Sequence, residues 1–301
     1  MGKRKTLKDL ETLPDAPDTP EKKGKRKNDD SDSDEDMDLV NVDFEWFDPS
    51  PTVDFHGLKT LLRQLLDIDA QLFNLSELAD IILAQPLLGS TVKVDGAETD
   101  PYAFLTVLNL KTHADKPVIK DLTAYLSKHS SSIPSLRSLP ALLSPESEAQ
   151  VGLILTERFV NMPHETVPPM YTMLLEEITW ALEEREPYAF THYLVLSKTY
   201  TEVASALLTA DPPPSKKKKG GGQEGGDEET FYFHPEDEVL HRHAAGWGNF
   251  AYETPVDEGA SDARRAFQEM GVRPTGHVVL IEGGKFEGAV GAVKEFLGGG
   301  Q

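Results

Sequence analysis

The sequence predicts an α/β domain in which a central, mixed and partly parallel sheet is flanked by helices, behind a disordered N-terminal tail. Three observations predict it. Apolar residues recur at alternate positions in some segments and every third or fourth position in others, and the two patterns alternate along the chain. The chain has 301 residues, 39% of them hydrophobic and 8% aromatic, enough to bury a core. Two stretches, 1–38 and 209–230, show no apolar period and are rich in Pro, Gly and charge. The expected organisation is therefore a charged tail over 1–38 and one domain over 39–301, interrupted by a low-complexity loop at 209–230.

Within the domain, "VNVDFEWFDP" (41–50) reads as a strand, with Val40, Val42, Phe44 and Trp46 or Phe47 near alternate positions and Pro49 ending it. "HGLKTLLRQLLDI" follows as a helix, with Leu58, Leu61, Leu62, Leu65 and Leu66 on one face. "NLSELADIILAQ" reads as a second helix, capped by Ser76. Next come a short strand "STVKVDG", the apolar run "YAFLTVLNL" and a helix opened by Pro117 through "VIKDLTAYLSKH". The strand "VGLILTE" leads into the stretch "LTERFVNMPHETVPPMY" (155–171) and a helix over 169–184, with Tyr171, Leu174, Leu175, Ile178 and Leu182 on one face. "AFTHYLVLSKTY", a Pro-started helix from His234 to about Ala245, and "HVVLIEG" followed by "GAVGAVKEFL" complete the pattern.

Composition excludes several functions. There is no cysteine, so disulfides, thiol nucleophiles and cysteine-held zinc are out. No apolar run approaches eighteen residues and the N-terminus is charged from Lys3, which predicts an intracellular protein with neither a transmembrane helix nor a secretory signal. The 51 acidic and 30 basic side chains give a formal charge of −21. Residues 1–38 hold nine Lys/Arg and twelve Asp/Glu, a net of −3, which leaves −18 on residues 39–301. A body of that sign repels nucleic acid and anionic membranes and attracts cationic partners, so the expected client is a basic protein.

In the tail, Lys22, Lys23, Lys25, Arg26 and Lys27 form a basic cluster, with Lys3, Arg4 and Lys5 upstream. Clustered cations on a disordered segment predict a nuclear import signal, weighed against a merely solvated charged tail. Ser31 and Ser33 lie in the acidic run that follows and are expected sites for an acid-directed kinase.

Residues 155–171 concentrate Glu157, Arg158, His164 and Glu165 where catalytic groups often sit. However, no second His follows His164 at metalloprotease spacing, and Thr166 is too near in sequence to serve as its nucleophile. Pro168 and Pro169 preset a helix start and Glu165 lies near its positive end, so the stretch reads as a structural joint. His234, Asp237, His241 and His243 offer a metal-ligand spacing, but Pro235 followed by Glu236, Asp237 and Glu238 is also an ordinary helix start. The glycines of "IEGGKFEGAVGAVKEFLGGG" match neither phosphate-binding fingerprint and read as turn glycines. "LKTLLRQLLDI" and "LLEEITWAL" have export-signal spacing, which buried amphipathic helices share. No catalytic, cofactor-binding or metal-ligating residue is assigned.

Taken together, "VNVDFEWFDP", "TVKVDG" followed by "DPYAFLTVLNL", "ERFVNMPHETVPPMYTMLLEEI", "THYLVLSKTY" and "FHPEDEVLHRHA" resemble the BCCIP family of eukaryotic nuclear proteins, from about residue 39 to the C-terminus and in the same order. The resemblance implies a nuclear, non-enzymatic escort of a basic large-subunit ribosomal protein, served by import and export receptors and shuttling to the cytoplasm. It also implies nuclear export of a lipid kinase, a phosphoinositide kinase, as cargo. It further implies a fold similar to the GNAT acetyltransferases, which bind the acetyl-CoA pyrophosphate on backbone N–H groups of a glycine motif between the fourth strand and the next helix. If "YAFLTVLNL" is that strand, "KTHADKPVIKDL" after it has no glycine, and Pro117 removes a donor, so no cofactor is expected. The alternative is an acyltransferase-like enzyme or small-ligand binder using residues 155–171.

Overall fold

A computed structural model describes residues 43–86, 88–202, 230–255 and 272–298. The tail, with its two basic clusters, Ser31 and Ser33, lies outside the described residues, as does the loop 209–230 apart from Thr230.

The described strands form one sheet: β1 (Glu45–Phe47), β2 (Ser90–Lys93), β3 (Ala103–Asn109), β4 (Val151–Arg158), β5 (His192–Glu202), β6 (Thr230–Tyr232), β7 (Gly246–Phe250) and β8 (Val272–Glu282). Their order is β1-β2-β3-β4-β5-β8-β7, with β6 paired to β5 off that path. β4 and β5 run parallel while all other pairs are antiparallel, so the sheet is mixed and partly parallel as expected.

Both faces of the sheet are buried, which explains the near-continuous apolar runs of β3, β4 and β8. Alternate side chains enter different cores. Leu153, Leu155, Leu194, Leu196, Val278 and Leu280 pack with α1 (Phe55–Leu66), α2 (Leu75–Leu83), α3 (Pro117–Ser130) and the short α4 (Leu139–Leu142). Ile154, Tyr193, Val195, Val279 and Ile281 pack with α5 (Val167–Glu183), α6 (Glu236–Leu240) and α7 (Gly283–Gly298). All five leucines expected on the face of α1 are buried.

Several local expectations change. Among the described residues the first strand spans Glu45–Phe47, with Val40 and Val42 outside them. Asn74, not Ser76, caps α2 by accepting from the Glu77 N–H at 3.3 Å, while Ser76 Oγ accepts from Lys59 Nζ at 2.8 Å. On α5, Tyr171, Leu174 and Ile178 are buried, but Ala181 takes the next core position and Leu182 is exposed. The helix expected from His234 to Ala245 is α6, tightened into a 3₁₀ turn over His241–His243. β6 and β7, which follow the low-complexity loop and α6, were not legible. Of the terminal glycines, Gly283, Gly284, Gly288, Gly291 and Gly298 open and lie within α7 rather than in turns, and Gly299 and Gly300 lie outside the described residues. Gly283 starts that helix straight from β8, and a Cβ there would sit 2.5 Å from the Phe190 carbonyl oxygen.

Candidate functional site

The parallel pair β4–β5 is in register from Val151↔His192 to Leu155↔Leu196 and then parts. β4 continues against β3 to Arg158, whereas β5 from Thr199 onward pairs with β6. Between the diverging ends, Glu157 and Arg158 of β4 face Ser197 and Lys198 of β5, and the returning segment places His234, Glu236 and Asp237 among them. All seven side chains are buried.

These groups form one ion network. Glu157 Oε2 lies 2.6 Å from Lys198 Nζ, and its Oε1 is 3.1 Å from His234 Nε2 and accepts from the Arg158 backbone N–H at 2.9 Å. Burial opposes its charge, but His234 and Lys198 outweigh that and hold its carboxyl down at about 2. Arg158 grips Glu236 with both terminal guanidinium nitrogens, at 2.5 and 3.0 Å. That geometry keeps Glu236 low and Arg158 high against the burial of both. Asp237 accepts from Ser197 Oγ at 2.5 Å, and burial lifts its carboxyl to about 7, with His234 opposing and Glu236 adding to the rise. Lys198 also donates to the Gln64 carbonyl of α1 at 2.9 Å and lies over the Phe233 ring. Buried charges are tolerated when each is paired and hydrogen-bonded.

One arrangement inside the network looks catalytic. Ser197 Oγ is 3.1 Å from His234 Nδ1, and the other ring nitrogen meets Glu157, a hydroxyl–imidazole–carboxylate line of the kind that activates a nucleophile. The serine, however, donates to Asp237, and Ser197, His234 and Glu157 are only 1%, 2% and 1% exposed, so no substrate carbonyl can approach. The line instead binds two sheet strands to α6. In an open α/β sheet, ligands enter the crevice at the carboxyl ends of parallel strands. Here the chain's own segment from β6 to α6 occupies it.

The stretch 155–171 thus divides. Glu157 and Arg158 belong to the buried network, whereas His164 and Glu165 are exposed, pair only loosely with each other at 3.6 Å, and form the joint expected before α5. Asp237 and His241 do not converge: Asp237 turns to Ser197, and His241 Nε2 lies 2.9 Å from His277 Nε2. Among the described residues no group of three or more His, Asp or Glu is placed to hold a metal. His243 is half-buried at the end of the 3₁₀ turn, before β7. The leucines of the first export-like stretch are all buried, whereas in the second Leu174 is buried, Leu175 partly buried and Leu182 exposed. The fourth strand is β4, not "YAFLTVLNL", which is β3. The stretch after β4 also lacks glycine, and Pro168 and Pro169 remove two backbone donors from the first turn of α5. Sequence reasoning missed Lys198, Ser197 and Glu236. The available signal was a lysine inside the apolar strand "YLVLSKTY".

A sequence model of the BCCIP family matches residues 39–240. The chain belongs to the BCCIP family. Among the relatives of this BCCIP chain, "Protein bcp1" of Aspergillus fumigatus is 58% identical over 297 residues, 99% of each chain. "Protein bcp1" of Schizosaccharomyces pombe is 48% identical over 270 residues, 88% of this chain and 93% of that one. The crystal structure of BCP1 from Saccharomyces cerevisiae shares the fold, with a TM-score of 0.58 at 24% identity over 88% of this chain and 92% of that one.

Proposed function

We propose that this BCCIP chain is a non-enzymatic nuclear escort that covers the basic surface of one large-subunit ribosomal protein. The observation that carries this reading is where the charge resides. The buried cations Lys93, Arg158 and Lys198 are each matched by a buried acid, Asp54 at 2.5 Å, Glu236 at 2.5 Å and Glu157 at 2.6 Å. Beyond these pairs the buried acids among the described residues are Asp69, Glu177 and Asp237, so most of the excess of −18 on residues 39–301 is left to the surface, where it can occupy Lys and Arg that would otherwise bind RNA. The filled crevice between β4 and β5 supports a binding protein over an acyltransferase. In this reading the clusters Lys3–Lys5 and Lys22–Lys27 are the import signal, export receptors return the protein to the cytoplasm, and a phosphoinositide kinase is a second cargo. The test is binding of purified large-subunit proteins one at a time, with acetyl-CoA titrated by calorimetry alongside. One-to-one binding of a single ribosomal protein and no heat with acetyl-CoA is expected. Micromolar acetyl-CoA binding would overturn the non-enzymatic reading.

A further inference from the structure

The outer face of α5 carries a tryptophan that the fold does not use. Trp180 is 55% exposed, and among the described residues no ring or cation stacks on it. Trp247, by contrast, stacks on His241, and Phe233 lies under the Lys198 ammonium; Phe296 of α7, 51% exposed, also has no stacked ring or cation among the described residues. Helical spacing places Glu176 one turn before Trp180, and Glu183 and Glu184 one turn after it, all exposed. In the other direction the same stripe holds the half-buried Met173 and Pro169, which line a depression of about 340 Å³ together with Lys294 of α7.

An exposed indole on a helix, with glutamates one turn before and one turn after it, has the composition of a binding hot spot. We propose that this stripe is the docking surface for the basic client, accepting a segment that sets an apolar side chain against Trp180 and Met173 between flanking Lys or Arg residues. The inference rests on the escort reading and locates it. The rim decides the occupant: Glu176, Glu183 and Glu184 favour cations, and a second copy of α5 would bring the same glutamates into repulsion. The indole supplies what charge alone lacks, a short-range contact that slows release and separates one basic protein from another.

The test uses the full chain, each purified large-subunit ribosomal protein in turn, and polylysine as a charge-only control. Trp180→Ala should weaken the bound ribosomal protein by about tenfold or more, and Glu183→Lys with Glu184→Lys should slow its association. Both variants should keep the wild-type melting temperature because the replaced side chains are exposed. Trp180 emission, obtained by difference from Trp180→Phe, should move to the blue when the client is added. It should be unchanged when Lys22, Lys23, Lys25, Arg26 and Lys27 are replaced by Ala; a shift there would make the chain's own tail the occupant and overturn the proposal. If the wild type binds a ribosomal protein and both variants bind it equally well, the escort reading stands and this surface is wrong. If the wild type binds none, the escort reading itself fails and the proposal with it.

Discussion

Asp237 and the pair His241–His277 show how single side chains set the protein's response to acid. His277 Nδ1 donates to Asn249 Oδ1 at 2.5 Å, so its Nε2 accepts from His241 Nε2–H. Burial lowers His241 to about 4, and burial together with His241 lowers His277 to about 3. Unfolded, both would titrate near 6.5, so the unfolded chain binds more protons across that window and stability falls as pH drops from about 6.5 toward 4. His241→Gln should flatten this part of the stability profile, measured by denaturant melts. Protonation of His241 should also alter the fluorescence of Trp247, which stacks on it at 3.9 Å. Asp237 behaves oppositely: raised to about 7, it loses its contribution as pH climbs from about 4 through 7. Asp237→Asn should therefore gain on the wild type over that range, and a constant difference would contradict the assigned proton. In the network itself, Arg158→Ala leaves Glu236 buried and unpaired and should cost about 3–5 kcal/mol. The double change Arg158→Met with Glu236→Met should recover much of that loss in the same melts. Little of this was legible. His234 and Asp237 drew notice as metal-ligand types, but their true partners stand far off in sequence: Ser197 and Glu157 are 37 and 77 residues from His234.

Elements were legible where one face repeats. α1 and α3 follow their apolar spacing, and β4 and β8 follow uninterrupted apolar runs. β7 escaped because its alternate positions are Gly246 and Gly248. Their lack of a side chain is required by packing: a Cβ on Gly246 would lie 2.1 Å from the Ser135 carbonyl oxygen, and one on Gly248 2.6 Å from Ile133 Cγ2. β6 escaped because only three residues pair, and they do so only because β4 has left β5. In α7, Gly291 is a different case. It lies inside the helix, exposed, with nothing within 4 Å of a Cβ, so Gly291→Ala should stabilise by about 0.5–1 kcal/mol. On α5, Leu174 is fully buried, and Leu174→Ala should cost about 2–5 kcal/mol. His164→Ala, in the exposed joint before that helix, should leave both stability and client binding unchanged. Loss of binding in a stable His164→Ala protein would return function to the 155–171 stretch.

At the scale of the folded domain, the sheet is buried on both sides, its crevice is closed by the chain itself, and most of its surplus charge is left to the surface. That combination suits a protein whose outside does the work. A long-range field speeds encounter, whereas close contacts set release, so raising salt from low to physiological strength should slow association with the client strongly and change dissociation less. Family and overall charge were legible before the fold because long motifs and composition need no geometry. The filled crevice was not, since it depends on where a segment beyond the low-complexity loop returns. The most direct test of the escort account is a competition. The purified ribosomal protein that binds best is mixed with RNA at physiological salt, and RNA binding is followed as this protein is added. The account predicts that one equivalent releases the RNA and leaves a soluble one-to-one protein complex. A ternary complex with RNA still bound, or equal release from every basic protein tried, would contradict it.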